Sequence, residues 1–306
     1  MKPNIYFGRI GDIWKHLLLI ETITAESPIN VWESHSASSQ YRLTHSYQRD
    51  YGVYYFCEQA PYSSLLKNLT YTQLLDNLVP QDQYPSSPLA IMHTLQKSKS
   101  SFVFCDVNND CLSNINENAI ELGIESSRIN LYHGDGLQYI NQLSKCVSAS
   151  ETLVHIDPYN VLEEETPGLN SLNLFLNLSK LGFKCILWYR YENIDEQNMY
   201  FNILYKLAES PMKFWCADVK VLAANSQPFI SETDITHFGV ITGNLSDQSM
   251  DICDQFSKEF ERIYSTAKFP DGQSGAISYS SFFFQVNTPT DNDYSIDSNK
   301  RPSRNN

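Results

Sequence analysis

The sequence predicts an α/β fold: a mostly parallel, seven-stranded sheet with helices on both faces and a helical subdomain inserted after the first strand. Three observations carry this. Apolar, β-branched or aromatic runs alternate with stretches of helical spacing, the pattern of a wound parallel sheet. The 306 residues, 42% of them hydrophobic and 13% aromatic, suffice for one large core with a smaller attachment. The first and second strand-like runs are separated by about 65 residues, too many for a structureless loop.

Taken in order, a helix is expected around Ile13, Leu17 and Ile20, followed by a strand over residues 29–34. The long connection then carries seven tyrosines and phenylalanines between Tyr47 and Tyr71, with Leu65, Leu66, Leu69, Leu74, Leu75 and Leu78 at helical spacing. This is the inserted helical subdomain, about residues 44–85, placed over the strand ends where it would cover a ligand. Further strands are expected over residues 101–106, 129–133, 152–157, 183–190, 212–222 and 235–242. Helices are expected around Leu112, Ile115, Ala119 and Leu122, and around Leu172, Phe175, Leu176 and Leu178. Phe256, Phe260 and Ile263 mark a late helix, and Ile277 to Val286 a last strand. The main domain is thus 1–286. Residues 287–306, rich in Ser, Asn, Asp and Pro, form a tail too poor in apolar residues to offset its ordering entropy.

Composition narrows the function. The 35 acidic against 22 basic residues give a net charge of -13 and oppose long-range attraction to polyanions. No run approaches the roughly 18 apolar residues of a membrane span, and the first residues lack the apolar core of a secretory signal, so a cytoplasmic protein with no membrane partner is expected. The seven cysteines, at 57, 105, 111, 146, 185, 216 and 253, include no Cys-x-x-Cys pair, and no metal is expected.

Chemistry concentrates at the ends of the expected strands. Thr152-Leu153-Val154 runs into His155-Ile156-Asp157-Pro158-Tyr159-Asn160, delivering a carboxylate, a rigid proline and an aromatic ring to the carboxyl end of a buried strand. Ligands bind at that end of open α/β sheets. Asp-Pro-aromatic also looks like the amine-methylating loop of S-adenosyl-L-methionine enzymes, although a strand stopped by a proline turn would read the same way. Phe102 to Cys105 ends in Asp106, placed to accept ribose hydroxyls; an acid there also suits a helix cap beside Asn108, Asn109 and Asp110. Ile129 to His133 runs into Gly134-Asp135-Gly136, where the carboxylate can meet an adenine edge or cap the following helix. Near the start, Gly8 and Gly11 bracket a helix start that carries Lys15 and His16 on its first turns.

The order of these motifs resembles the RlmJ family of ribosomal RNA adenine-N6 methyltransferases over about residues 5–190. Its opening His-Ala-Gly-Asn-Phe-Ala-Asp-Val-Leu-Lys-His is similar to Tyr6-Phe7-Gly8-Arg9-Ile10-Gly11-Asp12-Ile13-Trp14-Lys15-His16. Its Asp-Thr-His-Ala-Gly-Ala-Gly-x-Tyr is similar to Glu33-Ser34-His35-Ser36-Ala37-Ser38-Ser39-Gln40-Tyr41, and its Tyr-Pro-Gly-Ser-Pro-Leu to Tyr84-Pro85-Ser86-Ser87-Pro88-Leu89. Asp106, Asp135-Gly136, Asp157-Pro158-Tyr159 and Leu187-Trp188-Tyr189 follow in the same order. The resemblance implies a Rossmann-like class I methyltransferase fold with S-adenosyl-L-methionine as cofactor. It implies that Lys15, His35 and Ser87 hold the amino-acid end of that cofactor, Asp106 its ribose, and Asp135 with Gly136 its adenine. Asp157, Pro158 and Tyr159 take the catalytic places, and Tyr6, Arg9, Asn160, Trp188 and Tyr189 surround the acceptor.

The departures bear on the acceptor. Ala37 and Ser39 replace two glycines of the first-strand turn, and the family's Asp-Pro-Pro-Tyr becomes Asp157-Pro158-Tyr159-Asn160, moving the stacking aromatic by one position. Arg9 replaces an asparagine, and the family's leading tyrosine and histidine correspond to Met1 and Pro3. With the acidity of the chain, these changes favour N-methylation of a small-molecule or other non-RNA acceptor. Ribosomal RNA adenine-N6 is the alternative, and a non-catalytic cofactor-binding protein is a second.

Overall fold

The computed structural model describes residues 7–164, 166–208, 212–221, 237–265, 267 and 277–285. Tyr6 and the expected tail lie outside the described residues.

Among the described residues ten strands are formed: β1 Asn30–Glu33, β2 Gln40–Arg42, β3 Gln83–Pro85, β4 Ser101–Asp106, β5 Ile129–His133, β6 Thr152–Ile156, β7 Lys184–Arg190, β8 Lys213–Val221, β9 His237–Gly243 and β10 Ile277–Gln285. Eight of them build the main sheet, in the order β10-β8-β9-β7-β6-β1-β4-β5. From β5 to β7 all pairings are parallel. β9 is antiparallel to β7 and β8, and β10 to β8. The expected mostly parallel sheet is observed, but with eight strands where seven were expected. The reason is the exposed edge of β8: its row of backbone donors and acceptors is taken up residue for residue by β10, from Ile277 opposite Val221 to Gln285 opposite Lys213.

The α-helices among the described residues are α1 Ile10–Glu26, α2 Tyr47–Arg49, α3 Tyr55–Gln59, α4 Thr70–Leu78, α5 Ser87–Leu95, α6 Asn109–Glu121, α7 Gly136–Leu143, α8 Ser171–Lys180, α9 Ile194–Leu207 and α10 Asp247–Tyr264. They cover both faces of the sheet because its strands alternate. Val31, Phe102, Phe104, Leu153, Ile186 and Trp188 point into one core, shared with α1, α5 and α10. Trp32, Val103, Cys105, Val154, Ile156 and Leu187 point into the other, shared with α7, α8 and α9.

The region after β1 is closed by the antiparallel pair β2 and β3, with Gln40 opposite Pro85 and Arg42 opposite Gln83. Between them, Phe56, Leu66, Tyr71 and Leu75 enter the same apolar cluster as α1 and α10. Phe56 packs on Phe260 at 6.0 Å, and the Tyr55 hydroxyl donates to the Ile263 carbonyl at 3.1 Å. Each such buried Phe or Leu contributes roughly 1.5–3 kcal/mol, which ties the insertion to the sheet as one body.

From β1 the chain winds outward to β4 and β5, then returns to form β6 on the other side of β1. This is a topological switch point. In wound α/β sheets the loops leaving such a pair of strands, here β1 and β6, frame the crevice at the carboxyl ends where ligands bind.

Candidate active site

Of the expected residues, Lys15, His35, Asp106, Asp135 and Asp157 come near one another at these strand ends. The Lys15 ammonium of α1 lies 2.5 Å from Asp157 Oδ2, at the end of β6. The same ammonium is 3.3 Å from Asp12 Oδ1, one helical turn back. Asp12 also accepts the Gly8 backbone N–H at 2.9 Å, so it fixes the chain entering the helix. Burial alone would lower Lys15, but Asp157 and then Asp12 hold its pKa above the ordinary amine value. Burial would likewise raise Asp157, yet Lys15 and then His155 keep it below the ordinary carboxylate range. The catalytic candidate is therefore an ionised carboxylate at neutral pH.

Behind this pair, His16 packs into a buried polar cluster, with Nδ1 3.1 Å from the Tyr84 hydroxyl and Tyr84 3.0 Å from the Tyr71 hydroxyl. Burial pushes the His16 imidazole down to about 4, so it is neutral near pH 7.

The loop after β1 makes the floor. His35 Nδ1 is 2.7 Å from the Ser34 hydroxyl. Burial lowers its pKa, against the opposing field of Asp157, then Asp106 and Asp135, so the three carboxylates converge on this imidazole. Asp106 accepts the Ala37 N–H at 2.8 Å through Oδ2 and the Asn108 N–H at 2.7 Å through Oδ1. It clamps the β1 loop; the cap of α6 is Asn108, which accepts from Asp110 N. Ala37 itself sits at φ 54, the left-handed conformation that favours glycine, so the glycine-type turn is kept without the glycine.

Asp135 caps α7, accepting the Gln138 N–H at 3.0 Å, and its other oxygen accepts the Thr166 hydroxyl at 2.5 Å. Gly136 has a packing reason for its size: a Cβ there would lie 2.1 Å from the Ser34 carbonyl oxygen. The start of α7 thus presses directly on the β1 loop. Ser87, in the first turn of α5, is buried, and its hydroxyl favours the charged form of Glu33.

The acceptor candidates are placed less uniformly. Arg9 is half-buried at the start of α1. Tyr159 is 62% exposed, with the Arg190 guanidinium 3.4 Å above its ring. Asn160 closes the turn after it, accepting the Leu162 N–H at 3.0 Å. Two expectations are corrected. Trp188 is buried edge-on against Trp14 at 5.1 Å, inside the core between β7 and α1. Tyr189 points to the opposite face, where its hydroxyl donates to the buried Asp218 carboxylate at 2.8 Å. Neighbouring strand residues face opposite ways, so the two rings cannot line one wall.

Sequence reasoning passed over Asp12, Arg190 and the buried pair of Glu33 with His155. Asp12 was detectable from its i,i+3 spacing to Lys15. Glu33 and His155 were two polar residues in otherwise apolar runs, but only the sheet register shows that they meet.

Among the described residues there is no group of His, Cys, Asp and Glu that could hold a metal ion, and no helix long and apolar enough to cross a membrane. No protein-family model and no curated protein matches the chain. Among solved structures, protein LPL1258 of Legionella pneumophila (family-model DUF519) superposes with a TM-score of 0.65 at 14% identity, over 90% of this chain and 98% of that one. The fold is shared. The O-methyltransferase TomG of Streptomyces achromogenes, solved in complex with SAM, matches 75% of this chain and 79% of its own at 10% identity and a TM-score of 0.42. An O-methyltransferase of Bacillus cereus, in complex with SAH, matches 75% and 80% at 12% identity and 0.40.

Proposed function

We propose that the protein is an S-adenosylmethionine-dependent methyltransferase that methylates an amine nitrogen of a small-molecule or other non-RNA acceptor. The observation that supports this most is the contact of Lys15 with Asp157 at a switch-point crevice on which Asp106 and Asp135 also converge. The donor set fits the cofactor. Lys15 offers a cation to the carboxylate of its amino-acid end, Asp106 keeps lone pairs for the ribose diol, and Asp135 with Gly136 stands where the adenine edge would lie. When bound, the cofactor supplies a methyl on a sulfonium, a group already activated for transfer, so the protein chiefly has to align and desolvate.

Asp157 orients the acceptor. As an ionised carboxylate it takes a hydrogen bond from the acceptor NH2 and turns the nitrogen lone pair toward the methyl, with the Pro158 carbonyl as the second acceptor. Because Lys15 holds Asp157 below the ordinary carboxylate range, Asp157 serves as hydrogen-bond acceptor and leaves the proton of the methylated nitrogen to water. Tyr159, topped by Arg190, forms one wall and restricts which flat groups can stack there.

The test is transfer of a labelled methyl group, with the protein incubated first with a metabolite extract and then with stripped ribosomal RNA. Label in a small product is expected, and Asp157→Ala should abolish it while changing cofactor affinity by only a few-fold. Retained turnover in Asp157→Ala would reject the assignment. Label in RNA would instead move the acceptor to that of the family the motifs resemble.

A further inference from the structure

Beneath Asp157 lies a second pair of ionisable groups. Glu33 and His155 are register partners in the parallel ladder of β1 and β6. His155 precedes Asp157 by two residues, so their side chains leave the same face of the sheet. Glu33 Oε1 and His155 Nδ1 are 2.5 Å apart, and the two side chains are 0% and 1% exposed. A contact of that length requires a proton between the two atoms. Of the remaining polar atoms, His155 Nε2 has no hydrogen-bond partner, and Glu33 Oε2 makes no bond of good geometry, with only the Ser87 hydroxyl acting on that carboxyl.

Stability does not account for such a pair. Each buried polar atom without a partner costs about 1–3 kcal/mol, and well-packed apolar residues in place of a buried ion pair are often neutral or stabilising. Leu153, Val154 and Ile156 beside it show that β6 accommodates hydrocarbon throughout.

We propose that Glu33 and His155 are positioning residues for Asp157: the pair shares one proton and carries no net charge, and Glu33 fixes the imidazole on the strand face that Asp157 leaves, so that the oriented pair helps keep that carboxylate ionised and turned toward Lys15. The use made of Asp157 rests on the methyltransferase reading; the electrostatic link does not. The groups facing this assembly are Asp12, Lys15 and His16 from α1, His35 from the loop after β1 with Asp106 and Asp135 beyond it, and Ser87 from α5. Lys15 acts on Asp157 first and His155 second.

The experiment is a carbon-13 carboxyl titration of the full chain labelled at aspartate, with the Asp157 signal identified by its loss in Asp157→Asn. His155→Gln and Glu33→Gln should each raise the Asp157 midpoint by roughly half a pH unit or more. The double variant should raise it no further than either single one, because the two residues act as a unit. An unchanged midpoint in both folded single variants, or a double variant equal to their sum, overturns the proposal. Should the variants fail to fold, the unsubstituted protein decides. Asp157 and the nitrogen-15 signals of His155 must then show coupled titration steps, and independent steps overturn it. Absence of cofactor binding, read by calorimetry on the same protein, would defeat the proposed function and leave this result standing.

Discussion

Ala37 holds a backbone conformation that costs an L-residue about 1–2 kcal/mol, against about 0.5–1 kcal/mol of unfolded-chain entropy for a glycine there. The turn persists because Asp106 accepts the Ala37 N–H, while Ser36 is bound through both its N–H and hydroxyl to the Cys105 backbone. Ala37→Gly is therefore expected to stabilise the fold by about 1 kcal/mol or less, read as a small rise in the thermal midpoint. A fall would show that the turn is not strained. Lys15 carries the opposite balance. Asp157 has a folded pKa below the ordinary 3.8, so its contribution is present above that value and is lost as pH falls through the lower one. Lys15 has a folded pKa above the ordinary 10.5, so its contribution is complete below that value and is lost as pH rises beyond it. Lys15→Met leaves Asp12 and Asp157 facing each other, a loss of about 2 kcal/mol at pH 7 for this partly exposed pair. Denaturation at successive pH values should show the loss shrinking below pH 4, where both carboxylates take protons; a loss independent of pH would contradict the pairing.

At the scale of elements, strand ends and helix starts decide what meets at the crevice. Gly136→Ala would drive a methyl into the Ser34 carbonyl oxygen and push α7 off the β1 loop. A loss of about 1–3 kcal/mol is expected, with weakened cofactor affinity, by denaturation and calorimetry; an unchanged affinity would separate α7 from the site. At the far end of α1, Glu26 meets Lys184 of β7 at 2.8 Å and accepts from Ser246 and Ser249 at the start of α10. Burial opposes its charge, but these bonds, Lys184 first, bring its pKa down to about 2 from 4.5. Its stabilisation is present above pH 4.5 and lost on acidification toward 2, and Glu26→Gln should flatten that acid limb in melting curves. Elements were the most legible part of the sequence. The runs expected over 101–106 and 183–190 are met to within a residue by β4 and β7, because buried strands bounded by turns leave an unbroken apolar signature, and the run over 129–133 is β5, a half-exposed edge strand. What one residue touches across the sheet was not legible. Tyr189 and Trp188 share a strand and a composition, and only their alternation and their neighbours on β8 and α1 send one to Asp218 and the other to Trp14. The Glu33–His155 contact spans 122 positions of chain and follows from register alone.

For the molecule as a whole, the eighth strand covers the edge of β8 and becomes the outer strand of the sheet in its place. Phe284 of β10 packs on Phe214 and Tyr205, and Phe282 on Phe201. A chain ending at Ala267 would unpair nine residues of β8 and uncover these rings, so it is expected to self-associate in size-exclusion chromatography; a monodisperse monomer would contradict that role. The alternation of strands and helices and the long gap after β1 made the wound sheet legible in advance. The final strand was legible too, but not its pairing, since antiparallel addition to β8 depends on which edge the sheet leaves open. The central claim concerns the crevice at the switch point. Its most direct measurement is a crystal structure with S-adenosylhomocysteine, in which the ribose should lie on Asp106, the adenine beside Asp135 and the sulfur facing Asp157. A nucleoside bound away from these three carboxylates, or none bound at millimolar concentration, would contradict it.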